Sequence, residues 1–340
     1  MENPSPETPP PLRLATMGEA LIDLIARPDG LYEPCLGGAV YNLTRALARQ
    51  GARVDYLNPL SADANGQALR QALLRDGARV AVGTPTPRPT SLAIAHLDPS
   101  GQAHYSFYRE QVADRATDAA TLETQCAELP GLDAVCTGCL ALAPADADIV
   151  LPWLRGQRRQ QRRVVIDANL RPAAMPDMTA YRQHLWQALG LADLIKASDD
   201  DLRALFGYAG DPIAQGREVL ARTAARVLAL TLGARGAVLL LADGRAWTAH
   251  DSQAVTLVDT VGAGDCFLAG LLVQLPMAKP DTPPDRDALP LPDDAIAHRA
   301  LAAAVASASL CVMRRGCAAP RATEVAQRAP GVIVTPLGQR

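Results

Sequence analysis

The sequence predicts an α/β fold in which a mostly parallel β-sheet carries helices on both faces. Its 340 residues alternate short apolar, β-branched runs with stretches of helical periodicity, a pattern typical of parallel strands joined by helices. Two alternating runs around Pro99-Ser-Gly break the pattern and predict a β-hairpin. At this length, one large domain with an appendage is as plausible as two domains.

The predicted elements follow one another from residue 12 onward. Strands are predicted at 12–17, 21–25, 54–57, 134–137, 164–167, 194–196, 227–231, 237–241 and 255–258. Helices are predicted at 39–50, 65–76, 145–161, 181–190, 199–206, 211–224, after Gly264, and at 300–313. The last of these is Ala-rich and ends at Arg314-Arg315, so we expect a buried helix rather than a membrane span.

Three segments have the composition of loops or tails. Residues 1–11 are rich in Pro, Glu and Ser and predict a disordered tail without the features of a signal peptide. The prolines of residues 276–292 predict an exposed insertion between two helices. The folded domain is therefore expected at 12–330, with a C-terminal tail at 331–340.

Composition excludes several classes of partner. The 33 basic and 36 acidic residues give a net charge of −3 without a single-sign block, which argues against nucleic acid and anionic membranes. Seven scattered cysteines predict no disulfide framework and a reducing, cytoplasmic location. Cys136 and Cys139 are better explained as small core residues than as a redox pair or half a zinc site, because no second ligand pair has suitable spacing.

The most informative segment is residues 259–270, which read Asp-Thr-Val-Gly-Ala-Gly-Asp-Cys-Phe-Leu-Ala-Gly. A small-residue turn leads into a helix whose first turn carries Asp265. The free N–H groups and dipole of a helix start stabilise an anion, and a carboxylate beside them can accept a proton. The alternative is a purely structural role, in which the glycines allow tight packing and Asp265 interacts favourably with the helix dipole.

The twelve-residue string resembles the C-terminal signature of the ribokinase-like (PfkB) family of sugar and nucleoside kinases and fits every restricted position. The resemblance implies that Asp265 is the general base and that the backbone of Gly262, Ala263 and Gly264 forms the anion hole. It also implies a ribokinase-like, doubly wound sheet with a small β-sheet lid. The lid would comprise residues 21–36 and 91–110, close over the substrate and serve as a homodimer interface.

A second group of residues resembles the family's sugar site. Gly37 and Gly38 let a polyol approach the backbone at a predicted helix start, and Asn42 offers both a donor and an acceptor. Asp23 matches the sugar-hydroxyl acceptor of the family. Val40 replaces a proline common in fructokinase-like members, which loosens the assignment to that subgroup.

Two arginines are further substrate candidates. Asn169 and Arg171 follow a predicted strand in a segment that resembles the Asp-x-Asn-x-Arg element of fructokinases and 2-keto-3-deoxygluconate kinases. Arg171 could pair bidentately with a phosphate or a carboxylate, the alternative being a surface turn. Arg109 lies at the end of the lid hairpin and would contact the substrate from the lid side. The alternative is an ordinary solvent-exposed surface arginine.

The nucleotide and metal residues depart slightly from the family pattern. Ser198 and Asp201 stand where the family has an Asn-x-x-Glu element that orders Mg²⁺, and the shorter Asp201 would act through water. Lys196 and Ser198 are the nucleotide candidates of this segment. Helix capping by Ser198 and Asp201 is an equal explanation.

The remaining nucleotide residues lie in turns. Thr231, Gly233 and Gly236 resemble the loop that admits ATP, and Gly316 resembles the turn beside the adenine. Asp259 occupies the position that implies a monovalent cation such as K⁺, although it could equally cap the turn.

Together these features predict an ATP- and Mg²⁺-dependent kinase of a small sugar, with fructokinase activity expected first. The alternatives are a 2-keto-3-deoxygluconate kinase and a ribokinase or nucleoside kinase. A non-catalytic protein that senses a sugar or nucleotide on the same fold belongs to a different class, and ADP release would separate it from an enzyme.

Overall fold

The computed structural model describes residues 11–27, 29–97, 103–277 and 289–338. Within them, the strands are β1 (Arg13–Met17), β2 (Leu21–Ala26), β3 (Tyr32–Gly37), β4 (Arg53–Tyr56), β5 (Arg79–Val80), β6 (Ser91–Leu97), β7 (Ala103–Tyr108), β8 (Ala134–Gly138), β9 (Arg163–Asp167), β10 (Leu194–Ser198), β11 (Val227–Thr231), β12 (Ala237–Leu241), β13 (Ala246–Asp251) and β14 (Val332–Pro336). The α-helices are α1 (Ala39–Arg49), α2 (Ala64–Asp76), α3 (Ala119–Ala127), α4 (Ala147–Arg159), α5 (Met178–Leu189), α6 (Asp199–Phe206), α7 (Pro212–Arg222), α8 (Ala263–Leu272), α9 (Asp294–Val312) and α10 (Ala322–Arg328).

The large sheet has the strand order β14-β13-β12-β11-β10-β9-β8-β1-β4-β5. Strands from β11 to β5 run parallel, whereas β12, β13 and β14 are added antiparallel at one edge. The order reverses direction between β1 and β8, so the sheet is doubly wound. The predicted fold class is confirmed.

Helices cover both faces of the sheet because each strand of its centre is apolar on both sides. One hydrophobic cluster contains Tyr41 of α1, Phe267 of α8 and Leu301 of α9. The opposite face is covered by a second cluster that contains Trp153 of α4 and Tyr181 of α5. The sheet is therefore packed between two hydrophobic layers. Only the ends of its strands remain accessible for a binding site.

Helix α9 is the one described helix long and apolar enough to cross a membrane by length and composition. Most of its residues are buried within the fold, and it packs extensively against α8 and the antiparallel edge of the sheet. The expectation of a buried core helix here is confirmed.

A second, four-stranded sheet with the order β3-β2-β6-β7 forms the lid. Strands β6 and β7 make the predicted antiparallel hairpin, with His96 opposite His104 in its register. Strand β2 pairs with β3 on one side and with β6 on the other. Only three residues separate β1 from β2, so a short connection joins the lid to the carboxyl end of a central strand.

The structure corrects two predicted segments. Residues 255–258 are not a strand: Val255, Leu257 and Val258 are exposed and lie in the connection from β13 to α8. The predicted tail after residue 330 is also wrong, because β14 pairs antiparallel with β13. Residues 1–10 of the predicted N-terminal tail and 278–288 of the Pro-rich insertion lie outside the described residues.

Candidate active site

A cleft of about 1080 Å³ runs along the carboxyl ends of β9, β10 and β11, beneath the lid. Lid strands β2 and β3 line it from one side. The amino ends of α1, α6 and α8 and the β11–β12 turn line the rest. Ligands of open α/β sheets bind at this edge because the loops there converge.

The amino end of α8 is built for close approach to an anion. Its N-cap is Gly262, in the left-handed conformation at φ 78°, and no side chain caps the helix. A Cβ on Gly262 would lie 2.2 Å from Cys317 Sγ, and one on Gly264 would lie 2.8 Å from Lys196 Nζ. The Ala263 N–H bonds to the Thr260 carbonyl at 3.3 Å, whereas Gly264 and Asp265 line the cleft with the Lys196 ammonium beside them.

Asp265 lies in the first turn of α8, almost fully buried but at the wall of the cleft. Burial raises the pKa of Asp265 to about 8, and the charge of Asp167 adds to that rise. Lys196, a hydrogen bond with Asn42, and Arg171 oppose it. A carboxyl group with a pKa near the working pH is suited to exchange a proton with a substrate hydroxyl.

A buried ion pair between Lys196 and Asp167 lies near Asp265. Lys196 Nζ on β10 lies 3.0 Å from Asp167 Oδ1 at the end of β9, and both side chains are almost inaccessible to solvent. Parallel pairing of the two strands places Lys196 opposite Asp167. Lys196 was predicted from the sequence to bind the nucleotide. In the structure its ammonium lies next to Gly264, close to Asp265.

The predicted sugar residues meet on the lid side of the cleft. Asp23 of β2, Gly38 and Asn42 all line the cleft, and Gly37 packs against the Asp23 carboxylate. Burial raises the pKa of Asp23 to about 6, Arg171 opposing the rise. The Oδ1 atom of Asn42 is buried without a hydrogen-bond partner among the described residues, which is uncommon for a buried acceptor.

Glu19 is a cleft residue that sequence reasoning missed. Its Oε1 accepts a hydrogen bond of 2.8 Å from the Ala39 N–H and so holds the start of α1. Its Oε2 is buried without a partner in the described part of the chain, and burial raises the pKa of the group. Asp167, the buried partner of Lys196, was likewise given no role from the sequence. The available signal was that both residues follow or end a strand at the ligand edge.

Arg171 lines the cleft in a fixed orientation. Its Nη1 donates to Asn169 Oδ1 at 2.6 Å, to the Leu170 carbonyl at 3.0 Å and to the Asn169 carbonyl at 3.2 Å. Asn169 adopts the left-handed conformation, at φ 37°. These three bonds orient the guanidinium through a single nitrogen, Nη1, at the wall of the cleft.

Arg109 does not join the cleft. Its guanidinium donates to the Leu140 carbonyl at 3.1 Å and to Asp114 Oδ2 at 3.3 Å, with Asp146 Oδ2 at 3.8 Å. A buried guanidinium held between two carboxylates is committed to that network, because removing it would leave buried charges unpaired. The expectation that Arg109 reaches the substrate is not met in this conformation.

Ser198 and Asp201 form the capping box of α6. The Asp201 N–H donates to Ser198 Oγ at 3.0 Å. The carboxylate of Asp201 accepts from the Ser198 N–H and the Leu170 N–H, both at 2.7 Å. Both carboxylate oxygens are thus engaged by the backbone, so the geometry favours the capping interpretation over direct metal ligation.

The predicted nucleotide residues line the opposite end of the cleft, namely Thr231, Gly233, Gly236 and Gly316. Asp259 joins two of the loops, since its Oδ1 accepts from the Val261 N–H at 3.0 Å and its Oδ2 accepts from the Gly316 N–H at 2.8 Å. Val255 and Leu257 add an exposed apolar surface there, which the sequence had assigned to a strand.

The family model for pfkB family carbohydrate kinases matches residues 12–324. This chain belongs to the pfkB family of carbohydrate kinases. A fructokinase of Rhizobium leguminosarum bv. trifolii is 33% identical to the kinase over 268 residues, covering 76% of this chain and 78% of the relative.

Solved structures share the fold of the kinase. A fructokinase of Xylella fastidiosa with bound ATP matches with a TM-score of 0.73 and 25% identity, covering 94% of this chain and 98% of that one. A fructokinase of Vibrio cholerae O395, solved with fructose, ADP and a calcium ion, matches with a TM-score of 0.75 and 23% identity over 94% of this chain and 99% of that one. The kinase is thus a ribokinase-like sugar kinase, as the resemblance implied.

Proposed function

We propose that this kinase transfers the γ-phosphoryl group of ATP to the primary hydroxyl of a ketohexose, with fructose as the expected substrate. The single observation that carries the mechanism is Asp265, a cleft carboxyl whose pKa is raised to about 8 at the uncapped amino end of α8. The fructokinases among its relatives support the choice of sugar.

Asp265 would act as general base. The substrate hydroxyl oxygen attacks the γ-phosphorus in line, its proton passes to the Asp265 carboxylate, and the bond to the β,γ-bridging oxygen breaks to release ADP. The N–H groups at the start of α8 and the Lys196 ammonium would stabilise the charge on the equatorial oxygens. Asp23, Asn42 and Glu19 offer hydrogen-bond partners for sugar hydroxyls.

A magnesium ion bound with ATP would neutralise charge on the phosphates. Both oxygens of Asp201 already accept backbone N–H bonds, so this residue fits an ion only through an intervening water. Asp259 likewise ties two loops together, and a K⁺ ion would have to share it with the Val261 and Gly316 N–H groups.

The test is ADP release with Mg²⁺ and ATP across fructose, 2-keto-3-deoxygluconate, ribose and adenosine. Asp265→Asn removes the base, and Asp193→Asn is the matched control, because Asp193 is equally buried but lies at the far end of β10. Fructose-dependent turnover that disappears only with Asp265→Asn supports the proposal. Turnover that survives in Asp265→Asn contradicts it, and no turnover with any sugar favours the non-catalytic sensor.

A 2-keto-3-deoxygluconate kinase is the second candidate, and Arg171 is the observation that favours it. Its guanidinium is oriented by three bonds through one nitrogen and faces the cleft. Such a group can read a substrate carboxylate bidentately. Arg171→Met would then abolish turnover of the keto acid far more than turnover of fructose, and equal losses would count against a carboxylate reader.

We also propose that the lid contributes to a homodimer. Leu31, Tyr32 and Tyr108 are exposed apolar residues at or beside its two edge strands, β3 and β7. Unpaired sheet edges with apolar side chains favour pairing with another chain. Light scattering of the purified protein tests this, and a monomer at all accessible concentrations would rule it out.

A further inference from the structure

Three cysteines converge behind the amino end of α8. Cys266 lies in the first turns of α8, Cys311 near the end of α9, and Cys317 in the connection that follows α9. Their Sγ atoms all lie within 4.8 Å of one another, all three residues are buried, and none forms a disulfide. Two distant segments of the chain thus bring three sulfurs to one point that the mechanism does not use.

The cluster supports the anion-binding loop from behind. Cys311 Sγ lies 3.5 Å from the Val261 carbonyl oxygen. Cys317 occupies the space beside Gly262, where a Cβ would lie 2.2 Å from its Sγ. Cys317 also lines the cleft, which gives a small ion a route from solvent to the sulfurs.

We propose that Cys266, Cys311 and Cys317 form a binding site for one thiophilic cation of the Zn²⁺ or Cu⁺ class. Three thiolates are soft ligands that select such ions over Mg²⁺. Metal–sulfur bonds of about 2.3 Å place the sulfurs roughly 4 Å apart, a spacing compatible with three sulfurs that already lie within 4.8 Å of one another. A disulfide would use two of the sulfurs, whereas a cation uses all three. Cu⁺ accepts three thiolates, and Zn²⁺ would add a water from the cleft.

Occupancy of this site is expected to slow phosphoryl transfer. Cys311 contacts Val261 and Cys317 packs beside Gly262, so adjustment of the sulfurs around an ion would shift these residues and the start of α8 with them. Displacement of a catalytic group by roughly 1 Å can lower a rate about a hundredfold. We therefore expect turnover to fall by about tenfold or more when the site is filled, and to recover when a chelator removes the ion. This second step rests on the proposed function, whereas binding of the ion does not.

The experiment titrates the reduced, metal-free protein with Zn²⁺ against a chromophoric chelator, with Cu⁺ against a Cu⁺-specific chelator, and with Cd²⁺ as a spectroscopic probe. One equivalent of ion per chain, thiolate-to-Cd²⁺ charge-transfer absorption and proton release are expected. Cys311→Ser should weaken binding by at least about tenfold. Cys126→Ser is the matched control, because Cys126 is equally buried but lies on α3, and it should bind like the wild type.

Circular dichroism and melting temperature establish that each variant is folded, and Cys317→Ser provides a second test should Cys311→Ser misfold. Absence of the charge-transfer band in the wild type would overturn the site, and so would binding as tight as that of the wild type in both folded variants. Tight binding of one ion without slower turnover would uphold the site and overturn its coupling to the anion-binding loop.

Discussion

The amino ends of α8 and α6 place an aspartate at the same helical position with opposite results. Asp265 and Asp201 are each the third residue of their helix, each is buried, and both lie at the carboxyl edge of the sheet. Ser198 caps α6 and completes a capping box, in which backbone N–H groups engage both oxygens of Asp201. Gly262 caps α8 without any side-chain bond.

The difference teaches that the N-cap residue decides what the carboxylate is free to do. In α6 one carboxylate oxygen accepts the Ser198 N–H of the N-cap and the other accepts the Leu170 N–H of a neighbouring segment, which is a structural role. In α8 the Asn42 side chain bonds to the Asp265 carboxylate instead, burial raises the pKa of Asp265 to about 8, and the start of the helix lines the cleft. With Ser198 as N-cap, Asp201 of α6 acts as a capping residue. With Gly262 as N-cap, Asp265 of α8 is the proposed base.

The largest effect is expected from Asp265→Asn. Removing a general base lowers kcat by about 10²–10⁴-fold. The folded state raises the pKa of Asp265 from 3.8 to about 8, so between these values the unfolded chain ionises the group more readily, and the carboxyl disfavours folding. The melting temperature of Asp265→Asn at neutral pH should therefore be unchanged or higher. A variant with lowered melting temperature and near-normal kcat would contradict both points.

Gly262→Ser would give α8 the N-cap residue of α6. The left-handed backbone at φ 78° and the contact with Cys317 disfavour any side chain here, and displacement of the loop should lower kcat by about ten- to a hundredfold. Gly51→Ser is the matched control, because Gly51 also has positive φ, at 95°, but has no atom within 4 Å of a new Cβ. A loss of kcat in both variants would show that strain rather than the anion-binding loop is responsible.

The pH dependence of kcat/KM sharpens the role of Asp265. The base must be ionised, so kcat/KM should fall by about tenfold per unit as the pH drops below about 8. The charge of Asp167 raises the pKa of Asp265, so Asp167→Asn should move this fall to lower pH. If kcat/KM does not fall at low pH, or if the fall does not move in Asp167→Asn, ionisation of Asp265 does not control the pH dependence.

The smallest effect is expected from Asp201→Asn and Ser198→Ala, which break the capping box from its two sides. Each should lower the free energy of unfolding by about 1 kcal/mol, measured by urea denaturation. The KM for Mg²⁺-ATP should stay within about twofold of the wild type. A rise of about tenfold in Asp201→Asn alone would restore the water-mediated metal role predicted from the sequence.

Much of the fold and of the site was predictable because it is local. The alternation of apolar runs predicted the parallel sheet, the Pro/Gly turn predicted the lid hairpin, and residues 259–270 predicted the loop and helix around Asp265. Strand ends then predicted Asn169, Arg171 and Lys196 as cleft residues, because parallel strands present their carboxyl ends at one edge.

The errors concern contacts between distant segments. Residues 255–258 have the composition of a strand, but no neighbouring strand pairs with them in the described fold, whereas 332–336 find an open edge at β13. β-structure depends on pairing with a partner and on burial more than on intrinsic preference. Arg109 lies outside the cleft partly for a related reason, since the Leu140 carbonyl and Asp146, both distant in sequence, join Asp114 in holding its guanidinium.

The sequence by itself determined the fold class, the family, and the glycine-capped helix that presents Asp265, because periodicity and turn chemistry act within a few residues. Tertiary structure alone decided the raised pKa of Asp265, the engagement of Asp201 by Leu170, and the meeting of Cys266, Cys311 and Cys317. Burial, charge coupling and ligand geometry depend on which distant groups come within a few ångströms of each other, and only the packed fold sets those distances.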